Sequence, residues 1–282
     1  MAIQAIDIST WQSGIDFNAV KRSGITAVLI RAGFGRETSQ KDSQFENHYK
    51  GAKAAGLKVG VYWYSYADSI ADAAKEAKAC LACLDGRELD LPVYYDMEES
   101  SQTAYGRSTL TTMAKTFCDT IVAGGYKSGV YANWNWFTNY LDYTFLKSHY
   151  SIWLAQWSSS NSLACDIWQY SDKGTVSGIN GSVDMNYILN ESVLDGSGTN
   201  VVTCEITFRY LAKDGYTRTG GEVKTLQRLL NSLGYKGSNG KALDVDGIFG
   251  DNTDYAVKAF QRAMGLVVDG IVGKDTWTKL LE

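Results

Sequence analysis

Residues 58–98 read KVGVYWYSYADSIADAAKEAKACLACLDGRELDLPVYYDME, and this stretch decides the fold. Lys58–Tyr66 is a short run rich in Val and Tyr, bounded by polar residues, which reads as a strand. Ile70–Leu84 places Ala71, Ala74, Ala77, Leu81 and Leu84 on roughly one face of a helix. Leu91–Glu98 is a second strand. Strand–helix alternation of this kind predicts a parallel sheet.

The same grammar extends outward in both directions. Upstream, Ile3–Ser9 and Ala27–Ala32 read as strands, and Phe17–Arg22 and Asp42–Ala55 as helices. Downstream, Ser108–Ala123 carries Leu110, Met113, Phe117 and Ile121 at near-helical spacing, followed by strand signals at Gly129–Asn133, Ser151–Trp157, Asp166–Tyr170 and Ser182–Leu189. Eight strands that close on themselves form a barrel. After Gly129 helices become scarce: Trp134–Tyr140 is short, and only loops are expected between Ser151 and Leu189. The expected shape is an irregular α/β barrel of the TIM-like kind, with full βα units early and bare strands late.

Asp195-Gly-Ser-Gly-Thr-Asn200 is a polar, flexible break. It sets an expected organisation of a first domain at 1–194, a linker at 195–204 and a small three-helix all-α domain at 205–282. Val201–Leu211 alternates like a strand. Helices are expected over Val223–Leu233, Asn252–Met264 and Asp275–Leu281. Between them runs a repeat, Asp246-Gly-Ile-Phe-Gly250-Asp-Asn-Thr253 and Asp269-Gly-Ile-Val-Gly273-Lys-Asp-Thr276, each copy a turn ahead of a helix start. Such a repeat either closes a helix hairpin or presents backbone to a ligand.

Composition narrows the function. With 27 Lys+Arg against 31 Asp+Glu in 282 residues, the net charge of −4 argues against nucleic acid as a partner, because phosphate binding needs clustered positive charge. No run of about 18 apolar residues predicts a membrane span, and Met1–Asp7 lacks the basic start and apolar stretch of a signal peptide. Cys80, Cys83, Cys118, Cys165 and Cys204 are odd in number and scattered, which fits a reducing compartment and no disulfide framework. Cys80-Leu-Ala-Cys83 stands inside a helical pattern, without a second pair and away from His48 and His149, so no metal and no cofactor is expected. The excess of 8 Trp and 18 Tyr suits sugar rings if some of them line a groove.

The sharpest chemical signal is Tyr94-Tyr-Asp96-Met-Glu98. Alternate strand residues share a face, so Tyr94, Asp96 and Glu98 point one way. In a barrel that face looks inward at the C-terminal rim, where barrel enzymes keep their chemistry. Two acids this close in a partly desolvated pocket cannot both ionise freely, and one stays protonated, as a leaving-group acid must. Asp7 ends the first strand and Asp184 lies in the last, so closure would bring four carboxylates to one rim. Unpaired buried charge has no stability rationale, which leaves function as its reason. Glu99 points away and is expected to be solvated.

At these residues the chain resembles glycoside hydrolase family 25, the muramidases also called Chalaropsis-type lysozymes. The matching pieces are Ile6-Asp7-Ile8-Ser9 with Trp11-Gln12, Leu29-Ile30-Arg31-Ala32-Gly33, Gly60-Val-Tyr62-Trp-Tyr64 and Asp96-Met97-Glu98. Trp153-Leu-Ala-Gln156-Trp157, Ile167-Trp168-Gln169-Tyr170 and Val183-Asp184-Met185-Asn186 follow in order. Residues from about 205 resemble a peptidoglycan-binding-1 module through Gly221-Glu-Val223, Asp246-Gly247-x-Phe249-Gly250, Phe260-Gln261 and Asp269-Gly270-x-Val272-Gly273.

The resemblance implies a (β/α)5β3 barrel that hydrolyses the β-1,4 bond from N-acetylmuramic acid to N-acetylglucosamine in bacterial peptidoglycan, with the module anchoring it to the wall. It implies Glu98 as general acid and Asp96 as its partner at the 2-acetamido group or, as the lesser option, at a water. Asp7 and Asp184 would position groups and set the field. Arg31, Tyr62, Tyr64, Tyr131, Trp134, Trp157 and Trp168 are candidates for the sugar cleft, Trp168 being equally readable as core and Arg31 as a counter-ion. A phage-type endolysin made in the host cytoplasm is the leading setting, with a bacterial autolysin and a non-catalytic wall-binding protein as alternatives. Inverting or retaining outcome and oligomeric state stay open at this point.

Overall fold

Strands that are apolar on both faces are buried on both faces, and β1 (Ile3–Ile8), β2 (Ala27–Phe34) and β3 (Lys58–Tyr64) follow that rule closely. In the computed structural model, which describes residues 3–194, 210–214 and 218–281, the chain divides into two compact units, Met1–Val202 and Thr203–Glu282. The linker expected at 195–204 and most of the strand expected over Val201–Leu211 lie outside the described residues.

In the first unit α1 (Phe17–Arg22), α2 (Phe45–Ala54) and α3 (Ile70–Leu84) follow β1, β2 and β3. Next come β4 (Val93–Asp96), α4 (Arg107–Ala123), β5 (Ser128–Asn133), α5 (Tyr143–His149), β6 (Ser151–Ala155), β7 (Ile167–Gly174) and β8 (Val183–Ile188). The strands close in chain order into an eight-stranded barrel. β1 to β7 run parallel to one another, and β8 closes the ring antiparallel to both β7 and β1. The architecture is the irregular α/β barrel expected from the strand census. One helix escaped the reading: α5 has Leu146 as its buried residue, too little for a periodicity signal, and is announced by its cap, Asp142, which accepts from Phe145 N at 3.0 Å. Trp136–Tyr140 forms a single π turn.

The core has two layers. Ile6, Ile8, Val28, Ile30, Val59, Val61, Trp63 and Tyr95 face outward and pack under the helices. Ala5, Leu29, Tyr94, Tyr131, Trp153, Ile167 and Ile188 fill the barrel interior. Strict alternation therefore assigns odd positions of β1 and β2, and even positions of β3 and β4, to the inside. Cys80, Cys83 and Cys118 are free thiols in the outer layer, so the CxxC is core packing.

The second unit holds α6 (Gly221–Ser232), α7 (Asp251–Ala263) and α8 (Lys274–Leu281), around Val223, Leu226, Leu230, Phe249, Phe260 and Trp277. The repeat is explained by two matching buried glutamines. Gln227 Nε2 donates to Asp246 Oδ1, Ile248 O and Thr253 Oγ1, and Gly247 N donates to Gln227 Oε1. Gln261 does the same with Asp269, Ile271, Thr276 and Gly270. The positive φ of Gly247 and Gly270, +80° and +78°, lets each turn present its N–H inward. The repeated polar groups are thus engaged inside the fold, each turn clipped to the helix before it.

Candidate active site

Asp7 is the inward residue one short of the end of β1, and its register partner across the closing seam is Asp184. β8 runs antiparallel, so Asp184, near its start, reaches the same rim as the strand ends of its neighbours. In a parallel last strand it would have sat at the opposite end. Asp96 ends β4, level with Tyr64 on one side and Tyr131 on the other. Glu98 lies beyond the end of β4, which is shorter than the expected Leu91–Glu98. Pro92 contributes no N–H before it, and Glu99 caps the turn Ser100–Ala104 after it, accepting from Ser101 N at 3.1 Å.

The four acids meet. Asp7, Asp96, Glu98 and Asp184 line one cavity of about 270 Å³, together with Ile8, Ser9, Trp11, Gln12, Arg31, Tyr62 and Tyr64. A second cavity of about 480 Å³ lies at the other end of the barrel; it is lined by none of the four acids, and Lys53 and Arg87 in its wall pair with Asp90 and Glu46, each at 2.9 Å.

Burial dominates the electrostatics. It pushes the Glu98 carboxyl up, helped by the charges of Asp184 and Glu99. Asp96 is pushed up by burial and by Glu98 and Asp7, against the pull of Arg31. Asp184 is raised by burial while its hydrogen bond with Asp7 opposes the rise. All four carboxyls are thus pushed upward, the direction a general acid requires. Asp96 Oδ1 is buried and has no hydrogen-bond partner among the described residues. Glu99 behaves otherwise: the Ser101 N–H holds it below the usual range, and the Tyr64 hydroxyl donates to it at 3.3 Å. It is largely solvated, as expected, and also serves as a cap and a tether for Tyr64.

Of the expected sugar contacts, Arg31, Tyr62 and Tyr64 line the cavity. Arg31, read as a counter-ion for the acid cluster, makes its ion pair with the buried Asp42 instead, Nε 2.8 Å from Oδ2, and reaches the cluster through its charge on Asp96. Trp157 is 60% exposed on the loop after β6 and Trp134 is 44% exposed after β5, both at the rim but outside the cavity lining. The other two candidates lie away from the cavity lining, Trp168 taking the core reading that was open to it. Tyr131 is buried in the barrel floor against Trp153, with its hydroxyl donated to Gln169 Oε1 at 3.2 Å, so it supports the acids from below. Trp168 shares the outer face with Leu154 and Tyr187, packs on Tyr170, and donates to Gln156 O. One residue of parity turns it away from the mouth.

The structure also adds residues that sequence reasoning passed over. Trp11 lines the cavity and is 82% exposed. Asp42 binds Arg31 Nε, Thr10 N and Gln44 N, tying the β1–α1 loop to the rim. Gln169 and Asn186 both donate to Asp7. Asn186 was legible as the same-face neighbour of Asp184, two residues on; Asp42 carried no local signal.

A closed barrel with acids gathered at its C-terminal rim, their carboxyls pushed up by burial, suits glycoside hydrolysis. Comparison with known proteins agrees. Residues 6–179 match the profile of glycosyl hydrolases family 25, and residues 219–280 match a peptidoglycan-binding-1 domain. The chain is 34% identical over 279 residues to the autolytic lysozyme of Clostridium acetobutylicum, covering 97% of this chain and 77% of that one. It is 28% identical over 200 residues to lysozyme M1 of Streptomyces globisporus, covering 65% and 67%. The catalytic domain of endolysin ply40 from bacteriophage P40 of Listeria monocytogenes superposes with a TM-score of 0.62 at 26% identity, over 71% of this chain and 98% of that one. The chain belongs to glycosyl hydrolase family 25, as a lysozyme-type cell-wall hydrolase with a peptidoglycan-binding domain.

Proposed function

We propose that the cleft cleaves the β-1,4 bond between N-acetylmuramic acid and N-acetylglucosamine by substrate-assisted catalysis. The observation that carries this reading is Asp96 Oδ1, a buried acceptor without a partner among the described residues, beside Glu98, whose carboxyl burial pushes up. A buried acceptor calls for a donor, and the N–H of a 2-acetamido group supplies one. Asp96 then orients the acetamido carbonyl oxygen toward the anomeric carbon. That oxygen attacks, the bond to the leaving oxygen breaks, and Glu98 delivers its proton to the leaving group. Water next adds to the anomeric carbon, its proton returns to Glu98 and the oxazolinium ring opens, with retention of configuration. Asp7 and Asp184 position the sugar and offset positive charge as it develops. Arg31, Tyr62 and Tyr64 form the cleft wall, and Trp134 and Trp157 extend it along the rim.

Mass spectrometry of digested peptidoglycan tests the bond: reducing ends on muramic acid support it, and free amino groups without new reducing ends overturn it. An analogue lacking the 2-acetamido group tests the mechanism, since undiminished turnover would defeat the neighbouring-group step.

The wider role we propose is that of a phage-type endolysin, made in the host cytoplasm and reaching the wall through a lesion opened by another protein; the likeness to ply40 supports it. Lysis of expressing cells only on co-expression of a membrane-pore protein is the expected result. Lysis without one would favour the autolysin role that the clostridial relative suggests.

A further inference from the structure

The hydrogen-bond directions around Asp7 are settled by groups that only donate. An indole N–H cannot accept. Trp153 Nε1, 2.8 Å from Asn186 Oδ1, therefore turns that amide so that Asn186 Nδ2 meets Asp7 Oδ2 at 2.8 Å. Trp157 Nε1 and the Tyr131 hydroxyl both donate to Gln169 Oε1 at 3.2 Å, which aims Gln169 Nε2 at the same Asp7 oxygen, 3.0 Å away. Asp7, Gln169 and Asn186 are all buried. Two N–H groups on one oxygen favour the anion there and leave that oxygen no place for a proton.

The geometry points to Gln169 and Asn186 as positioning residues that make Asp7 the charged member of the Asp7–Asp184 pair and leave the shared proton on Asp184. The inference rests on the reading of this cleft as the hydrolytic site and adds how its charge is distributed. Burial, the charge of Asp184 and the hydrogen bond with Asp184 push the Asp7 carboxyl up, and the two amides pull against them; it is the pair of N–H donors on Oδ2, not the direction of these shifts, that carries the assignment. The other groups facing Asp7 are Arg31 from β2, Tyr62 from β3, Asp96 from β4 with Glu98 beyond it, and Tyr131 from β5. The direct bonds to Asp7 Oδ2 come from the two amides. Trp157, exposed at the rim, therefore acts on the acids through Gln169.

Carboxyl-carbon NMR titration of the intact wild-type protein tests the assignment without turnover: Asp7 should hold its charge in the pH range where Asp184 still carries its proton, and the reverse order overturns it. In Gln169→Met and Asn186→Leu the pair should take up its second proton at higher pH, moving the acid limb of the kcat/KM profile up by about one pH unit. Trp157→Phe, which keeps a ring but loses the aiming N–H, should move it in the same direction by less. A uniform fall in rate with an unmoved acid limb would show that the amides merely fill space. If the wild type releases no muramic reducing ends, the functional reading fails, while the NMR order still decides the charge assignment.

Discussion

In the proposed mechanism a single proton at Glu98 carries the chemistry. Glu98→Gln keeps the shape and removes the transferable proton, so hydrolysis of purified walls should fall by a factor of about 10² to 10⁴, the usual worth of a general acid. Pelleting of the variant with insoluble walls should be unchanged, because the binding unit is untouched. The proposed role gives the pH dependence a sign: the carboxyl is raised, and as general acid it acts in its protonated form. The alkaline limb of kcat therefore falls as pH climbs through the raised value, to be read from a pH–rate profile on soluble glycan fragments. At Asp42 the argument is structural. Removing it as Asp42→Ala leaves Arg31 without its 2.8 Å partner and two backbone N–H groups unmet. A loss of about 3 kcal/mol in denaturant unfolding is expected.

At the scale of elements, β8 and the loop between β3 and α3 matter most. Glu76 on α3 is fully buried, accepts the Tyr95 hydroxyl at 2.6 Å and Tyr66 N at 2.8 Å, and so holds the loop behind Tyr64. Gln102 ties the same loop through Ser65 Oγ and Ala67 O, both at 2.9 Å. Burial pushes Glu76 from its ordinary 4.5 up to about 7. A group raised on folding contributes its full stability below the unfolded value and loses it as pH rises through the folded one. Stability should therefore decline between about pH 4.5 and 7, by at most about 3 kcal/mol. In Glu76→Gln that share of the decline should vanish, as the thermal midpoint measured against pH would report.

Over the whole molecule, function divides between the two units. The buried glutamine clips hold the small one, and a domain of that size has little stability to lose. Gln261→Leu breaks four hydrogen bonds and strands buried partners, costing about 2–3 kcal/mol. Retention on insoluble walls should drop while turnover of soluble fragments holds. Loss of both together would mean that the barrel depends on the small unit for its own fold.

How much of this could be read in advance follows from the range over which each signal acts. Period-2 and period-3.6 patterns are local, so the strands of the barrel, the long helices and the inward face of Tyr94, Asp96 and Glu98 were legible from the chain alone. Where the pattern was short it failed, as at α5. Parity was legible at Asp96 but not applied to Trp168, which turns outward for the same reason that Gln169 turns in. What only the tertiary structure decided was the company each residue keeps: the antiparallel seam that sets Asp184 beside Asp7, Asp42 reaching Arg31, and the indoles that aim two amides at one oxygen. Hydrogen-bond direction and burial are properties of closure, made between residues distant in sequence, and no local pattern encodes them.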